Sequence, residues 1–240
     1  MNTKNISSKI VIFLFVLIYF SINADAQQLV MNNNKAEKVS PFTGFKNTDI
    51  GQPTKAGNVT LNNNVFEITA AGSDIWGVKD EFQFCYKPIK GDFDISSQVL
   101  SLTATNMYTK AGIMARVDLD DNSQHVFYQV FPNNSARNKN NGGCEFQYRL
   151  EKAGQMKAIY PDPATAGNQY DVAFPNTWIR FKRIGDIFES YMSSDNKNWE
   201  LYSTFTMKLP NELLVGLAVT SHDKNAFTTA RFSSVQLKKY

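Results

Sequence analysis

The sequence predicts an all-β fold, a sandwich of two antiparallel sheets, and three observations carry that expectation. Short runs of alternating apolar and polar residues follow one another from about Pro41 onward. The runs are rich in β-branched and aromatic residues and bounded by Gly, Asn, Asp and Pro, as half-buried strands joined by turns are. Long stretches of helix-forming composition are missing. Many short strands without intervening helices bury their apolar faces best by packing one sheet on another.

The start of the chain is of another kind. Met1–Lys9 carries Lys4 and Lys9 and no acid, Ile10–Ile22 is apolar, and Ala24-Asp25-Ala26 is a small-x-small site. This pattern predicts a secretory signal peptide over residues 1–26, cleaved after Ala26. The apolar run is shorter than the ~20 residues of a membrane span, and no cysteine follows it directly to take a lipid anchor. Residues 27–40 are polar, Asn-rich and aperiodic, and are expected to form a flexible leader. The domain proper is then 41–240. The expected location is the periplasm, the cell surface or the medium, with no membrane span once the signal is removed.

Composition narrows the function. A formal net charge of +3 with 20% charged residues suits neither a polybasic nucleic-acid binder nor an acidic tail. With 42% hydrophobic and 13% aromatic residues, the chain has material for a true core and is not intrinsically disordered.

Candidate strands are Asn58–Leu61, Val65–Thr69, Glu81–Tyr86, Asp92–Leu102, Thr109–Val117, Gln124–Phe131 and Gly143–Glu151. Further along come Trp178–Ile184, Ile187–Ser193, Trp199–Phe205, Leu213–Thr220 and Ala226–Leu237. Gly185-Asp186 fits a two-residue hairpin, since glycine takes positive φ at little cost. Asp195–Asn198 forms the next turn through side-chain bonds to backbone. Trp178–Phe205 is therefore a three-strand meander, with Ile179, Phe181, Phe188 and Met192 facing the core and Glu189 and Tyr191 facing away. Residues 132–143 and 155–176 are long irregular loops. Cys85 and Cys144 leave two readings open, a disulfide that export permits or two buried thiols.

Several runs, in this order and spacing, resemble a known family. They are Thr48–Gly51, Gly72–Gly77 (GSDIWG), Asp80–Phe84, Gly91–Phe93, Lys110–Arg116 (KAGIMAR), Phe146–Arg149 and Trp178–Gly185 (WIRFKRIG). The tail adds Tyr191–Asp195, Trp199, Val215–His222 and Arg231–Val235. Over residues 43–237 the chain resembles the DUF1349-type, β-xylosidase C-terminal-like module of the concanavalin A-like lectin/glucanase superfamily. The resemblance implies a jelly-roll sandwich and a place among secreted, carbohydrate-related bacterial proteins. Such modules usually carry Asp-Gly where this chain has Asp195-Asn196, and Asn also tolerates the left-handed conformation.

No residues are singled out as catalytic. The spaced-acid strand motif of the related glycosidases is missing, and retaining hydrolysis needs two carboxylates ~5 Å apart. Asp92 and Asp94 alternate, but Phe93 and Ile95 between and after them form the core face, which sends both acids to solvent. Nucleotide and nucleophile-elbow motifs are missing too. With two His and no C-x-x-C, zinc is not expected. The oxygen-rich segment 118–122 is a candidate for calcium, against an ordinary acidic turn, because it lacks the Gly and terminal Glu of an EF-hand loop.

The polar face of one group of strands is the candidate binding surface. Arg116 shares a face with Gly112 and Met114, His125 with Gln129, and Glu145 with Gln147 and Arg149. Guanidinium forks, amides and a carboxylate pair with sugar hydroxyls in defined directions. The alternative is a solvated face of cross-strand charge pairs. Asp74 and Trp76 read as a structural corner, and His222 as a turn residue. The expected function is an exported glycan-binding or glycan-associated module whose partner is a poly- or oligosaccharide and not nucleic acid. Two alternatives stand beside it: a carbohydrate-active hydrolase or lyase using the same face, or a surface domain that binds another protein.

Overall fold

The computed structural model describes residues 44–135, 137, 142–160 and 170–240. The expected signal peptide and leader lie outside the described residues. The first sheet runs in the order β1 (Lys46–Ile50), β6 (Phe82–Lys90), β15 (Glu212–Thr220), β8 (Lys110–Arg116), β9 (His125–Val130), β10 (Cys144–Arg149), β11 (Lys157–Ile159). The second runs β14 (Glu200–Thr206), β13 (Ile187–Ser193), β12 (Thr177–Ile184), β7 (Phe93–Leu102), β16 (Asp223–Lys239), β3 (Val65–Gly72), β2 (Asn58–Asn62). A short ribbon pairs β4 (Ile75–Trp76) with β5 (Lys79–Asp80). Neighbours in each sheet are antiparallel, and half of the pairings join strands distant in sequence, as when β6 lies between β1 and β15. The expected jelly-roll sandwich is therefore what the chain forms, and no helix occurs among the described residues.

The core lies where the two inner faces meet. Ile113, Val126, Tyr128, Phe146 and Leu217 of the first sheet pack with Phe93, Ile95, Ile179, Phe181, Phe188 and Phe232 of the second. These side chains alternate with outward ones along each strand, which is the periodicity that marked the strands in the sequence. The meander of β12, β13 and β14 forms as expected, with Ile184 opposite Ile187 across the two-residue turn. Gly185 and Asn196 both sit at φ 60°, so Asn takes the left-handed conformation at its turn, as expected. Asp195 accepts bonds from the backbone N–H groups of Lys197 and Asn198, both at 2.8 Å.

Two expectations are corrected and one open reading is decided. β1, β4, β5 and β11 were not among the expected strands; they are short, and β11 falls in a stretch read as loop. Asp94 does not face solvent: it is 6% exposed, and Arg180 donates to it from Nε at 2.8 Å on the outer face of the second sheet. Cys85 and Cys144 are free and buried, on β6 and β10, which three strands separate. Burial pushes both thiols up to about 12.

Candidate functional site

The inner strands β8, β9 and β10 of the first sheet are buried on both faces, and that decides the site. Gly72, at φ 138°, turns the chain out of β3 so tightly that a Cβ there would lie 2.1 Å from the carbonyl oxygen of Glu81. The following segment, with β4 and β5, folds over the sheet's outer face. Asp80 N–H donates to Asp121 O at 2.7 Å, Met156 N–H to Gly77 O at 3.0 Å and Ala153 N–H to Asn122 O at 2.8 Å. Residues 72–81, 118–123 and 151–156 are thus tied into one cover. Beneath it lies a second apolar layer of Ile50, Ile75, Phe82, Phe84, Tyr86, Met114, Phe127 and Ala218.

The six candidate ligand residues do share this face, because β8, β9 and β10 are adjacent with Arg116 opposite His125 and His125 opposite Arg149. The expectation that the face is open to solvent fails. Arg116, His125, Gln129 and Arg149 are 0% exposed, Gln147 1% and Glu145 4%. The reason is the cover, which alternation along a strand does not reveal.

Under it the residues fall into two groups. Arg149 grips Asp80 with both terminal nitrogens, Nη1 and Nη2 each 2.7 Å from a carboxylate oxygen. Its remaining donors reach Gly77 O, Ser123 O and Gly154 O, one in each covering segment. Arg116 donates to the carbonyls of Asp118 and Asp120, and its guanidinium lies 5.2 Å from the Phe82 ring centre. Burial lowers Arg116 to about 10, leaving it charged at neutral pH. Burial, with the positive charges of Arg116 and Arg149, holds the His125 imidazole well below its ordinary value, so it is neutral. Its Nδ1 lies 3.1 Å from Ser123 O, which makes Nδ1 the protonated nitrogen. Arg116, His125 and Arg149 are therefore anchors of the cover.

Gln129, Glu145 and Gln147 form the second group. Glu145 Oε1 accepts from Gln129 Nε2 at 3.4 Å and from Gln147 Nε2. Beyond them the cover ends and a cleft of about 170 Å³ opens, with Glu145 and Gln147 in its wall. β4 supplies Trp76, and the turn before it supplies Asp74. Lys110 of β8 donates to Asp74 Oδ1 at 2.6 Å and to Ile75 O at 3.0 Å, and lies 5.6 Å from the centre of the Trp76 ring. His222, at φ 57°, brings its Nδ1 within 3.2 Å of Asp74 Oδ2 and its ring 5.4 Å from that of Tyr108. Tyr108, Phe131 and Tyr160 complete the wall. Burial alone would raise the Asp74 carboxyl, but Lys110 and His222 outweigh it and hold it below its ordinary value. The cleft joins aromatic rings to planar hydrogen-bonding groups.

Trp76 corrects an expectation: it is 39% exposed at the cleft and not a buried corner. His222 is the turn residue that was expected, and it also lines the cleft. Tyr108, Lys110, Phe131 and Tyr160 were not singled out from the sequence. The one available signal was the place of Lys110 at the start of the KAGIMAR run. In the calcium candidate 118–122, Asp118 and Asp120 pair with Lys152. Among the described residues, no group of three or more His, Cys, Asp or Glu is placed to hold a metal. A second hollow of about 230 Å³, on the outer face of the second sheet, contains Arg180 and Trp199, but its guanidinium is clamped by Asp94.

The family model described as a protein of unknown function, DUF1349, matches residues 52–240. No functionally curated protein matches the sequence. Among solved structures, a functionally unknown protein from Saccharomyces cerevisiae aligns at 15% identity with TM-score 0.60, over 83% of this chain and 98% of that one. The carbohydrate-binding module CBM66 from Bacillus subtilis aligns at 17% identity with TM-score 0.49, over 82% and 96%. A mutant of the GH43 protein BlXynB from Bacillus licheniformis aligns at 9% identity with TM-score 0.50, over 76% of this chain and 38% of that one. At these identities the likeness is one of fold, the concanavalin A-like jelly roll.

Proposed function

The chain belongs to the DUF1349 family, and from its cleft we propose that it is an exported glycan-binding module that acts without covalent chemistry. The observation that carries this reading is Trp76. A large aromatic left 39% exposed forgoes burial that the core offers. Its ring is held from one side by Lys110, and it borders a cleft whose polar groups include the Gln147 amide, the Asp74 and Glu145 carboxylates and the hydroxyls of Tyr108 and Tyr160. A pyranose needs that pairing, an aromatic plane for its C–H face and directional partners for its hydroxyls. The cleft, of about 170 Å³, is on the scale of a sugar unit. Export rests on the expected signal peptide. Among the described residues no helix is long and apolar enough to cross a membrane.

A glycan array probed with the protein and with Trp76→Ala tests the reading. Binding should appear on a defined set of oligosaccharides and fall about tenfold or more in the variant, as truncation of an aromatic anchor does. An array silent for the wild type, or signals equal in the two proteins, would overturn it.

One observation favours the alternative of a carbohydrate-active enzyme. His222 Nδ1 lies 3.2 Å from Asp74 Oδ2, an imidazole and a carboxylate side by side in the cleft as acid–base work needs, with Tyr108 next to the ring. Release of reducing ends from polysaccharides bound on the array, abolished in His222→Ala, would support this reading over simple binding.

A further inference from the structure

The walls of the cleft hold one another in a closed circuit. On one flank the segment after β3 brings Asp74 and Trp76, and Asp74 is joined to His222 Nδ1 at 3.2 Å and to Lys110 Nζ at 2.6 Å. The wall runs on from the His222 ring to that of Tyr108 at 5.4 Å, and from Tyr108 to Phe131 at 6.4 Å. Arg137 lies 4.3 Å from the Phe131 ring centre and donates from Nε to Met107 O at 2.6 Å, which pins the residue before Tyr108 to the end of β9. The far flank is β11, paired to β10 with Ala158 opposite Gln147, and it leads to Tyr160. Burial raises the Tyr160 hydroxyl, and Glu145 and Tyr108 add to it, so Tyr160 stands close to both. The circuit returns to Trp76 through its neighbour Gly77, whose carbonyl accepts at 3.0 Å from the N–H of Met156, just before β11.

The floor is closed as well. Lys110, Phe131, Glu145 and Gln147 come from β8, the end of β9 and β10, and all four are buried. Asp74, Trp76, Tyr108, Tyr160 and His222, around the mouth, keep part of their surface exposed. Buried groups below and exposed groups above leave the cleft with one mouth. Its volume of about 170 Å³ is well under the roughly 300–1,000 Å³ of pockets that enclose drug-sized ligands, so a single ring fills it.

An interior residue of a polysaccharide is linked through two of its positions, and its neighbours leave on different sides of the ring. A groove open at both ends accommodates such a residue, whereas a blind cleft with one mouth has an exit for one linkage. Resting on the glycan reading above, we infer that the cleft takes the terminal sugar of a chain or branch and excludes chain interiors. The terminal ring enters along the Trp76 face, and its one linkage leaves through the mouth. A second linkage would run into β11 on one side or into Tyr108 and His222 on the other, and specificity built from such clashes needs no added contact to the favoured ligand.

The test is calorimetric titration of the protein with cellobiose and cellohexaose, mannobiose and mannohexaose, and β-1,4-galactobiose and β-1,4-galactohexaose. Each hexasaccharide is also titrated capped at both ends, by a 4,6-O-benzylidene group and a reducing-end 2-aminobenzamide. For a sugar that binds, hexasaccharide and disaccharide should agree within about threefold, because one ring enters, and capping should weaken binding about tenfold or more. A hexasaccharide more than about threefold tighter than its disaccharide, or a capped one that binds like the uncapped, overturns the inference; loss of that binding in Trp76→Ala leaves the glycan reading standing. Binding unaffected by Trp76→Ala, or none by any of the six uncapped sugars, overturns the reading itself and the inference with it.

Discussion

Two ends of one sheet face use similar chemistry for different ends. At the covered end Asp80 is gripped by Arg149 in a two-pronged pair, and both are 0% exposed. At the open end Asp74 meets Lys110 through one carboxylate oxygen, with 22% of its side chain exposed and a cleft beside it. Each site pairs one acid with one base on strands of the same jelly roll. Arg149 binds three covering segments as well as its acid, so its donors are all occupied and water is excluded. Lys110 instead backs an exposed tryptophan and leaves space next to it. Burial, more than residue type, separates the anchor from the binding site.

The largest expected effect breaks the covered end. Arg149→Ala strands Asp80 in a closed site and removes the ties to Gly77, Ser123 and Gly154, and should cost about 3–5 kcal/mol of stability. Denaturant unfolding measures this, and a loss below ~1 kcal/mol would show that the cover does not depend on the pair.

Acid sharpens the comparison next. Asp74 lies below its ordinary value despite burial, through Lys110 and His222, and Asp94 likewise despite burial, through Arg180 and Tyr240. Carboxyls depressed in the folded state contribute stability that is present above the unfolded value, near ~3.9, and lost as pH falls through the folded one. Burial raises Asp80 even against Arg149, so it works in the opposite sense and offsets part of that loss. The melting temperature should hold from pH 7 to about 4.5 and drop below about 4. Asp74→Asn should blunt the drop, and an unchanged acid limb in that variant would contradict the assignment.

The smallest expected effect lies away from both ends. Asn196, at φ 60°, already tolerates the left-handed conformation, so Asn196→Gly should change stability by no more than about 0.5–1 kcal/mol. A larger loss would mean that the Asn side chain holds the turn.

The strands of the sandwich were legible because alternation at period two marks which side chains share a face, and Ile179, Phe181, Phe188 and Met192 point inward as that pattern requires. The same pattern brought Arg116, His125, Gln129, Glu145, Gln147 and Arg149 onto one face. It carries no information on what lies above that face. The cover comes from residues 72–81, where β4 and β5 are too short for periodicity, and from 118–123 and 151–156, which form no strand, and its contacts span long stretches of sequence. Asp80 gave no sign of being a partner for Arg149, and Trp76 read as part of a structural corner because a large aromatic usually buries much of its area. The cleft is made where these segments stop, so it was visible only as two residues at one edge, Glu145 and Gln147.

Trp76 tests the central claim most directly, because it lies at the open end and reports its own surroundings. In Trp178→Phe/Trp199→Phe, Trp76 is the only tryptophan left of the three. Titrating that variant with the oligosaccharides positive on the array should shift or quench its emission along the same isotherm as calorimetry. Binding by calorimetry with no change in Trp76 emission would place the ligand elsewhere and contradict the account.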